Sequence, residues 1–175
     1  MRDPLADPAP LIRRVYAYAA YRVGVGPEAE DITSETFERA LRYRDSFDPR
    51  RGDAGAWLIG IARRCIADAA LRPLPVSDDK LPERTSEDHA DEVFERLELR
   101  SALAQLAERD RELVALRFGA DLTARQIGEL LGLKTNAVEV ALHRALAALR
   151  SELERTESAE MQERGDAEWT TPRRT

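Results

Sequence analysis

Cysteine and histidine are nearly absent from this 175-residue chain, which has one cysteine and two histidines. A single cysteine excludes an internal disulfide and a cysteine-rich zinc site. We therefore predict no metal and no other cofactor. Cys65 lies on an apolar helical stripe, so we expect a small buried side chain rather than a redox sensor.

Long apolar runs are also missing, and no stretch is long enough to span a membrane. The first ten residues, MRDPLADPAP, carry two aspartates and three prolines and do not resemble a signal peptide. The sequence shows no nucleophile with a nearby base and no phosphate-binding glycine loop. We expect a soluble cytoplasmic protein that is not inserted in a membrane and is not an enzyme.

Aromatic residues are scarce, at 6% of the chain, whereas 34% of residues are charged. This composition suits small helical modules better than one large core. Apolar residues recur at helical spacing, and strand-like alternation is not evident. The apolar stripes expected to face inward include Ile12 in the first helix, Leu41 in the second and Ala145 in the last. We predict an all-α fold of two small helical domains joined by a flexible acidic linker. The predicted segments are a first domain (1–72), a linker (73–95), a second domain (96–153) and a polar, disordered tail (154–175).

Positive charge is not in excess, because the net charge is −6. Its distribution is uneven, however. Residues 42–72 contain seven arginines against four aspartates, whereas residues 73–99 contain nine acidic residues against three basic ones. Residues 123–150 are again mildly basic. Local patches rather than net charge meet phosphates, so both basic segments are candidates for binding nucleic acid.

The stretch LTARQIGELLGLKTNAVEVALHRAL, residues 122–146, has the pattern of a helix-turn-helix. Thr123 and Gln126 fit a capping box at the start of its first helix. Gly128 is the small residue where the helices cross, and Gly132 is the turn. The expected apolar contacts are Ile127, Leu131, Leu133, Val138 and Leu142. An ordinary helical hairpin is the alternative interpretation. In the helix before it, Asp110 is the expected N-cap.

The second helix of such a motif enters the major groove, with its N-terminal part near the base edges. Asn136 could pair with adenine, Val140 could touch a thymine methyl group, and Lys134 and Arg144 could hold phosphate or guanine. These few positive charges suggest that a partner supplies much of the DNA affinity. The reading face comprises Lys134, Thr135, Asn136, Val140, His143 and Arg144, with Arg125 on the preceding helix.

Three stretches in this order resemble the extracytoplasmic-function (ECF) group of the sigma-70 family of bacterial RNA polymerase sigma factors. They are AEDITSETFERAL (29–41), FDPRRGDAGAWLIGIARR (47–64) and the segment 106–150. The resemblance implies two helical domains, regions two and four, that bind core polymerase and direct promoter-specific initiation. Region two melts and reads the minus-ten element, and region four reads the minus-thirty-five element. The partners implied are core RNA polymerase and promoter DNA. The resemblance leaves open whether an anti-sigma factor is a third.

The helix of the first stretch is the main polymerase-binding element in this family. Three carboxylates lie at helical spacing, and we call them the acidic face: Asp31, Glu35 and Glu38. This face could contact basic residues of the polymerase, or it could simply be solvated. The implied polymerase-binding residues are Asp31, Ile32, Glu35, Phe37 and Glu38, although the apolar ones could equally be core.

The second stretch suits single-stranded DNA, which is held by positive charge and base stacking. Trp57 could stack on a base or anchor its helix. The resemblance assigns to this minus-ten surface Arg50, Arg51, Trp57, Arg63 and Arg64. Family members often have asparagine at Arg64, glutamine at Ser34, and basic or serine residues at 139–141, so the promoter sequence cannot be read from this chain.

Two other functions fit parts of the pattern. A stand-alone helix-turn-helix regulator would bind its operator tightly without polymerase. A decoy would bind core polymerase without productive DNA contact, although the arginines at 50–51 argue against it.

Overall fold

The computed structural model describes residues 3–50, 52–71 and 90–169, and every regular element in those ranges is helical. The predicted all-α fold is therefore confirmed. The N-terminal module consists of α1 (Pro8–Val23), α2 (Pro27–Arg42), a 3-10 turn (Arg44–Ser46) and α3 (Ala54–Ala70). The C-terminal module consists of α4 (Ala90–Gln105), α5 (Glu108–Val114), a π-helical segment (Ala115–Gly119), α6 (Ala124–Leu131) and α7 (Thr135–Trp169).

The helices of the N-terminal module begin where the sequence supplies starting signals. Prolines occupy the first turns of α1 and α2, where the missing N–H costs nothing. At α3 the Asp53 carboxylate accepts a hydrogen bond from the Ala56 N–H at 2.7 Å and caps the helix. The three helices pack against one another around Val15, Ile32 and Leu58, all at most 2% exposed.

Two side chains expected inside this module lie on its surface. Ile12 of α1 is 45% exposed and Leu41 of α2 is 60% exposed, so both predictions are wrong. Leu41 stands in the last turn of α2, next to exposed Arg42 and Tyr43. On α1 the fully buried Tyr18 enters the core instead, and helical periodicity alone did not select it.

The helix-turn-helix prediction is confirmed in its local chemistry. Thr123 and Gln126 form a reciprocal capping box at the start of α6. Gly132 ends that helix with φ +71°, in the left-handed region that favours glycine. A Cβ on Gly128 would lie 2.6 Å from the Leu133 carbonyl oxygen, so only glycine fits where the chain turns back.

Helix boundaries in the C-terminal module differ from the predictions. The N-cap of α5 is Ala107, and Asp110 lies inside the first turn, where its charge still complements the helix dipole.

Helix α4 begins at Ala90, within the predicted linker, and residues 72–89 lie outside the described ranges. Helix α7 continues to Trp169 instead of ending near Leu153. The added segment is rich in Glu, Arg and Ala, which have high intrinsic helix propensity. No helix in the described ranges is both long and apolar enough to cross a membrane.

The two modules share one hydrophobic core. Helix α1 packs against the π-helical segment and α5, and α3 packs against α6. Buried residues of both modules, such as Val15 and Leu58 on one side and Leu116 and Ile127 on the other, belong to the same contiguous cluster. The sequence predicted two separate domains, and their direct packing is a feature that only the structure supplies.

Cys65 is fully buried in α3, and the Thr36 hydroxyl donates a weak hydrogen bond to its sulfur at 3.7 Å. Burial raises the pKa of the Cys65 thiol above its usual value, so little reactive thiolate forms near neutral pH. We expect the native chain to react with Ellman's reagent at least about tenfold more slowly than the chain unfolded in guanidinium, because the thiolate is the nucleophile. Equal rates in the two conditions would show that the thiol is accessible.

Candidate nucleic-acid interface

The reading face lies on the exposed side of the first turns of α7. The predicted inward side chains Val138, Leu142 and Ala145 are buried, which fixes the rotation of the helix about its axis. The predicted outward residues are all exposed, and they are Lys134, Thr135, Asn136, Val140, His143 and Arg144. Val140 is 52% exposed, so its methyl groups are accessible for a contact.

A shallow cleft of about 410 Å³ adjoins the reading face, between the start of α5 and α7. Asn136, Val140 and Arg144 line one side of it, and Arg109 and Asp110 line the other. Sequence analysis missed Arg109, because it lies 27 positions before Asn136 and only tertiary packing brings the two together. Its exposed guanidinium extends the positive surface beside the reading face.

Arg125 lies one helix earlier, and its side chain is 81% exposed. Its Nε is 2.9 Å from an oxygen of Glu129, an i, i+4 ion pair within α6. Exposed pairs of this kind contribute little to stability, so the guanidinium can exchange the carboxylate for a phosphate at small cost.

The minus-ten surface comprises the loop before α3 and one side of that helix. Arg50 is exposed in the loop, where its N–H donates to Asp48 at 3.0 Å, and Arg51 lies outside the described residues. Trp57 is half-buried and packs on Phe47, with ring centroids 5.5 Å apart. The contact with Phe47 supports the anchoring interpretation, and stacking of Trp57 on a base stays a prediction.

Arg63 and Arg64 follow on α3 in different environments. Arg64 is exposed. Arg63 is one-third exposed, and its Nε donates to the Glu112 carboxylate of the other module at 2.7 Å. The two arginines line a cleft of about 670 Å³ together with Phe47 and Trp57. Its opposite side is formed by α6, through Gln126, Glu129 and Leu130.

Two carboxylates of the acidic face of α2 are exposed, and the third forms an ion pair within the helix. Asp31 and Glu38 are exposed, as predicted for a contact surface. Glu35 is 25% exposed at its side chain and accepts from Arg39 at 2.5 Å. The other two proposed contact residues are less accessible, since Phe37 is half-buried and Ile32 is only 2% exposed. Ile32 therefore supports the helix from the core rather than presenting a contact.

Arg39 links the acidic face to α3. It pairs with Glu35 and also with Asp68 at 2.7 Å. The hydrogen bonds that Arg39 donates to Asp68, and then to Glu35, raise the pKa of Arg39 further above its usual value, so the side chain remains charged. The result is a short charged chain, Glu35–Arg39–Asp68, that fixes α2 relative to α3 and neutralises part of the acidic face.

A cluster around Glu112 joins the two modules, and we call it the Glu112 cluster. The Glu112 carboxylate of α5 accepts from the Tyr18 hydroxyl at 3.1 Å and from Arg63 at 2.7 Å, and it pairs with Arg22 at 2.5 Å. Arg22 also pairs with Glu108. The side chains of Arg22 and Glu112 are 8% and 14% exposed, so this pair is largely removed from water, whereas Glu108 is 72% exposed.

The electrostatics of the Glu112 cluster favour a protonated tyrosine. Burial, followed by the negative charge of Glu112, raises the pKa of Tyr18 well above its usual value. The hydroxyl therefore acts as a hydrogen-bond donor to the carboxylate at any physiological pH. None of the predicted site residues other than Arg63 belongs to this cluster, and no local sequence pattern indicated it.

Two family models match the chain, and together they cover both modules. The model described as Sigma-70 region 2 matches residues 10–72, and the model described as Sigma-70, region 4 matches residues 96–149. The first match contains α1 to α3 with the minus-ten surface. The second contains the Glu112 cluster's carboxylate, the helix-turn-helix and the reading face.

Curated relatives point to the same family. The ECF RNA polymerase sigma factor SigL of Mycobacterium tuberculosis is 31% identical over 146 residues, which is 80% of this chain and 82% of SigL. SigD of the same organism is 34% identical over 172 residues, covering 87% of this chain and 76% of SigD. The chain belongs to the ECF sigma factor family. BldN of Streptomyces coelicolor is 36% identical over 143 residues, covering 77% of this sigma factor but only 54% of BldN.

Solved structures show that the fold is shared. The sigma factor RpoE of Bartonella quintana, in complex with the anti-sigma factor NepR, superposes with a TM-score of 0.58 at 20% identity and covers 83% of this chain and 93% of RpoE. CnrH, in complex with the cytosolic domain of CnrY, gives 0.58 at 24% identity, covering 86% and 84%. Family members are transcription regulators rather than enzymes, and this sigma factor has both region 2 and region 4.

Proposed function

We propose that this sigma factor binds core RNA polymerase in the cytoplasm and directs initiation at specific promoters by binding alone, without catalysis. The acidic face of α2, with Asp31 and Glu38 as its exposed carboxylates, contacts the polymerase. The minus-ten surface holds the melted strand, and the reading face enters the major groove of the minus-thirty-five element. An anti-sigma factor is a further proposed partner, because the solved RpoE of Bartonella quintana was bound to one.

The observation that carries this proposal is the exposed reading face on a confirmed helix-turn-helix, in a chain that also has a separate arginine surface. Lys134 and Asn136 stand exposed at the start of α7, where the geometry of this motif places base contacts. A reading face with so few positive charges binds DNA weakly by itself, since phosphate neutralisation supplies most non-specific affinity. A polymerase that holds both modules over the promoter would supply the remainder.

The deciding experiment is reconstitution. The purified chain and bacterial core polymerase are run together on a sizing column, and the complex then transcribes pooled genomic fragments whose RNA 5′ ends are sequenced. We expect co-elution at nanomolar concentration and start sites preceded by two shared elements. Co-elution without defined start sites would indicate a decoy. Tight operator binding by the free chain without co-elution would indicate a stand-alone regulator.

The double variant Lys134→Ala with Asn136→Ala is expected to lower promoter-specific initiation about tenfold to a hundredfold while leaving core binding unchanged. Initiation should fall because each good base contact is worth about 1–3 kcal/mol. Core binding should not change because the acidic face lies on the other module. Run-off transcription from a promoter identified as above measures the effect. The matched control is Arg150→Ala, which removes a positive charge at an exposed site farther along the same helix. Equal losses in control and double variant would show that the reading face has no special role.

A further inference from the structure

The charges beside the reading face divide between the two flanks of α7. Arg144 lines the cleft of about 410 Å³ on the side of α5, together with Arg109 of α5 itself. Glu139 and His143 are exposed but do not line that cleft. With 3.6 residues per turn, Glu139 is rotated by roughly 140° from Arg144 about the helix axis. One flank of the helix therefore presents guanidinium groups, and the other presents a carboxylate.

The Glu139 carboxylate has no hydrogen bond or ion pair within the part of the chain that the structure describes. Ion pairs along a helix form between residues three or four positions apart. The four residues at those positions are neither lysine nor arginine, and they are Thr135, Asn136, Leu142 and His143. Glu129 of α6, in contrast, is bound by Arg125 at 2.9 Å. The Glu139 carboxylate is therefore available to a donor outside the protein.

Glu139 lies close enough to the base-reading residues to reach the same stretch of major groove. It follows Asn136 by three positions, which is about 4.5 Å along the helix axis and a rotation of roughly 60°. Successive base pairs of duplex DNA are about 3.4 Å apart. The Glu139 side chain is therefore expected within about two base pairs of the pair beside Asn136.

A carboxylate in the major groove accepts hydrogen bonds but cannot donate them. Cytosine presents only a donor there, its N4 amino group, whereas guanine presents two acceptors and thymine presents one acceptor beside its methyl group. Adenine places an acceptor next to its amino donor. Acceptor edges and phosphates repel the carboxylate, so Glu139 lowers the affinity for most sequences and lowers it least where cytosine donates to it.

We propose that Glu139 makes this sigma factor select a C·G pair in the minus-thirty-five element, within about two base pairs of the pair beside Asn136. The carboxylate accepts from the cytosine N4 amino group and disfavours the other three bases at that position. The guanidinium flank of Arg109 and Arg144 attracts DNA of any sequence, so discrimination at this pair comes from the carboxylate flank. The proposal rests on the proposed function for the identity of the DNA surface.

Transcription of a randomised promoter library by the reconstituted holoenzyme tests this assignment. The library keeps one promoter from the reconstitution fixed, except that every base pair of its minus-thirty-five element is randomised, and each RNA carries a barcode that reports its template. We compare the natural chain with chains carrying Glu139→Gln or Glu139→Arg. Glu154→Gln is the matched control, because it makes the same chemical change at an exposed site farther along α7. Helicity and core binding should be the same in all four chains, since both sites are exposed.

We expect the natural chain and the control to favour cytosine over each other base at one position by at least about fivefold, because one good base contact discriminates by this factor or more. Glu139→Gln should lose most of that preference at this position only. Glu139→Arg should invert the preferred pair, because arginine binds guanine O6 and N7. A merely structural role of Glu139 would not change the preference at a single position.

Two results overturn the proposal. One is a natural chain without a C·G preference at any position of the element, and the other is an unchanged preference in Glu139→Gln. Failure of the reconstitution to give any promoter would instead remove the proposed function, and this inference with it.

Discussion

Replacing Gly128 with valine will lower the free energy of unfolding by about 2–4 kcal/mol, with loss of the helix-turn-helix. Inside an ordinary helix, a glycine-to-alanine change is favourable by up to about 1 kcal/mol. Here the added Cβ would lie 2.6 Å from the Leu133 carbonyl oxygen, and valine adds two further methyl groups. Overpacking against a backbone atom that cannot rotate away typically costs about 1–3 kcal/mol, and more where the chain must separate.

Urea unfolding followed by circular dichroism measures this change. Glu129→Val is the matched control, because it places the same β-branched residue one position later on the same helix at an exposed site. The control is expected to cost only a few tenths of a kcal/mol from helix propensity. If both variants unfold at the same urea concentration, the close approach at Gly128 is not what holds the two helices together.

Reversing the charge of the two exposed carboxylates of the acidic face, Asp31→Lys with Glu38→Lys, will weaken binding to core polymerase at least about tenfold. Like charges brought together at an interface cost several kcal/mol, and about 1.4 kcal/mol is a factor of ten in affinity. Glu35 is left unchanged, because its ion pair with Arg39 ties α2 to α3 and its loss would confuse binding with stability.

Fluorescence titration of labelled core polymerase gives the affinity. The control, Glu139→Lys with Glu154→Lys, changes the net charge equally at two exposed sites on α7. We expect it to bind nearly as well as the natural chain. Equal weakening by the two double variants would mean that net charge matters and that the position of the acidic face does not.

The features predicted correctly from the sequence depend on neighbours a few residues away. The Thr123–Gln126 capping box, the left-handed Gly132 and the buried Val138 are all set by spacing within one or two helical turns. Among the wrong predictions, Leu41 and the N-cap of α5 concern helix ends, whereas Ile12 lies in the second turn of α1. Leu41 has the helical spacing of the buried residues of α2, but it lies in the last turn of that helix and is 60% exposed.

The Glu112 cluster could not be predicted, because its partners are distant in the sequence. Tyr18 and Arg63 precede Glu112 by 94 and 49 residues, and no local pattern relates them. The sequence indicated arginines suited to DNA, but it could not show that one of them is neutralised by the other module. The same holds for Gly119, whose small size matters only because α1 lies against it.

The pairing of Arg63 with Glu112 also bears on how the chain exchanges ions with its surroundings. An arginine without a carboxylate partner has no bound anion to lose when it contacts DNA. The phosphate that it neutralises releases a condensed cation into the solution. Under the proposed function, Arg63 would exchange the Glu112 carboxylate for a phosphate, and the released carboxylate would recruit a cation of its own. Binding of DNA to this surface would then be an anion exchange, and it would liberate fewer counterions than the number of its arginines implies.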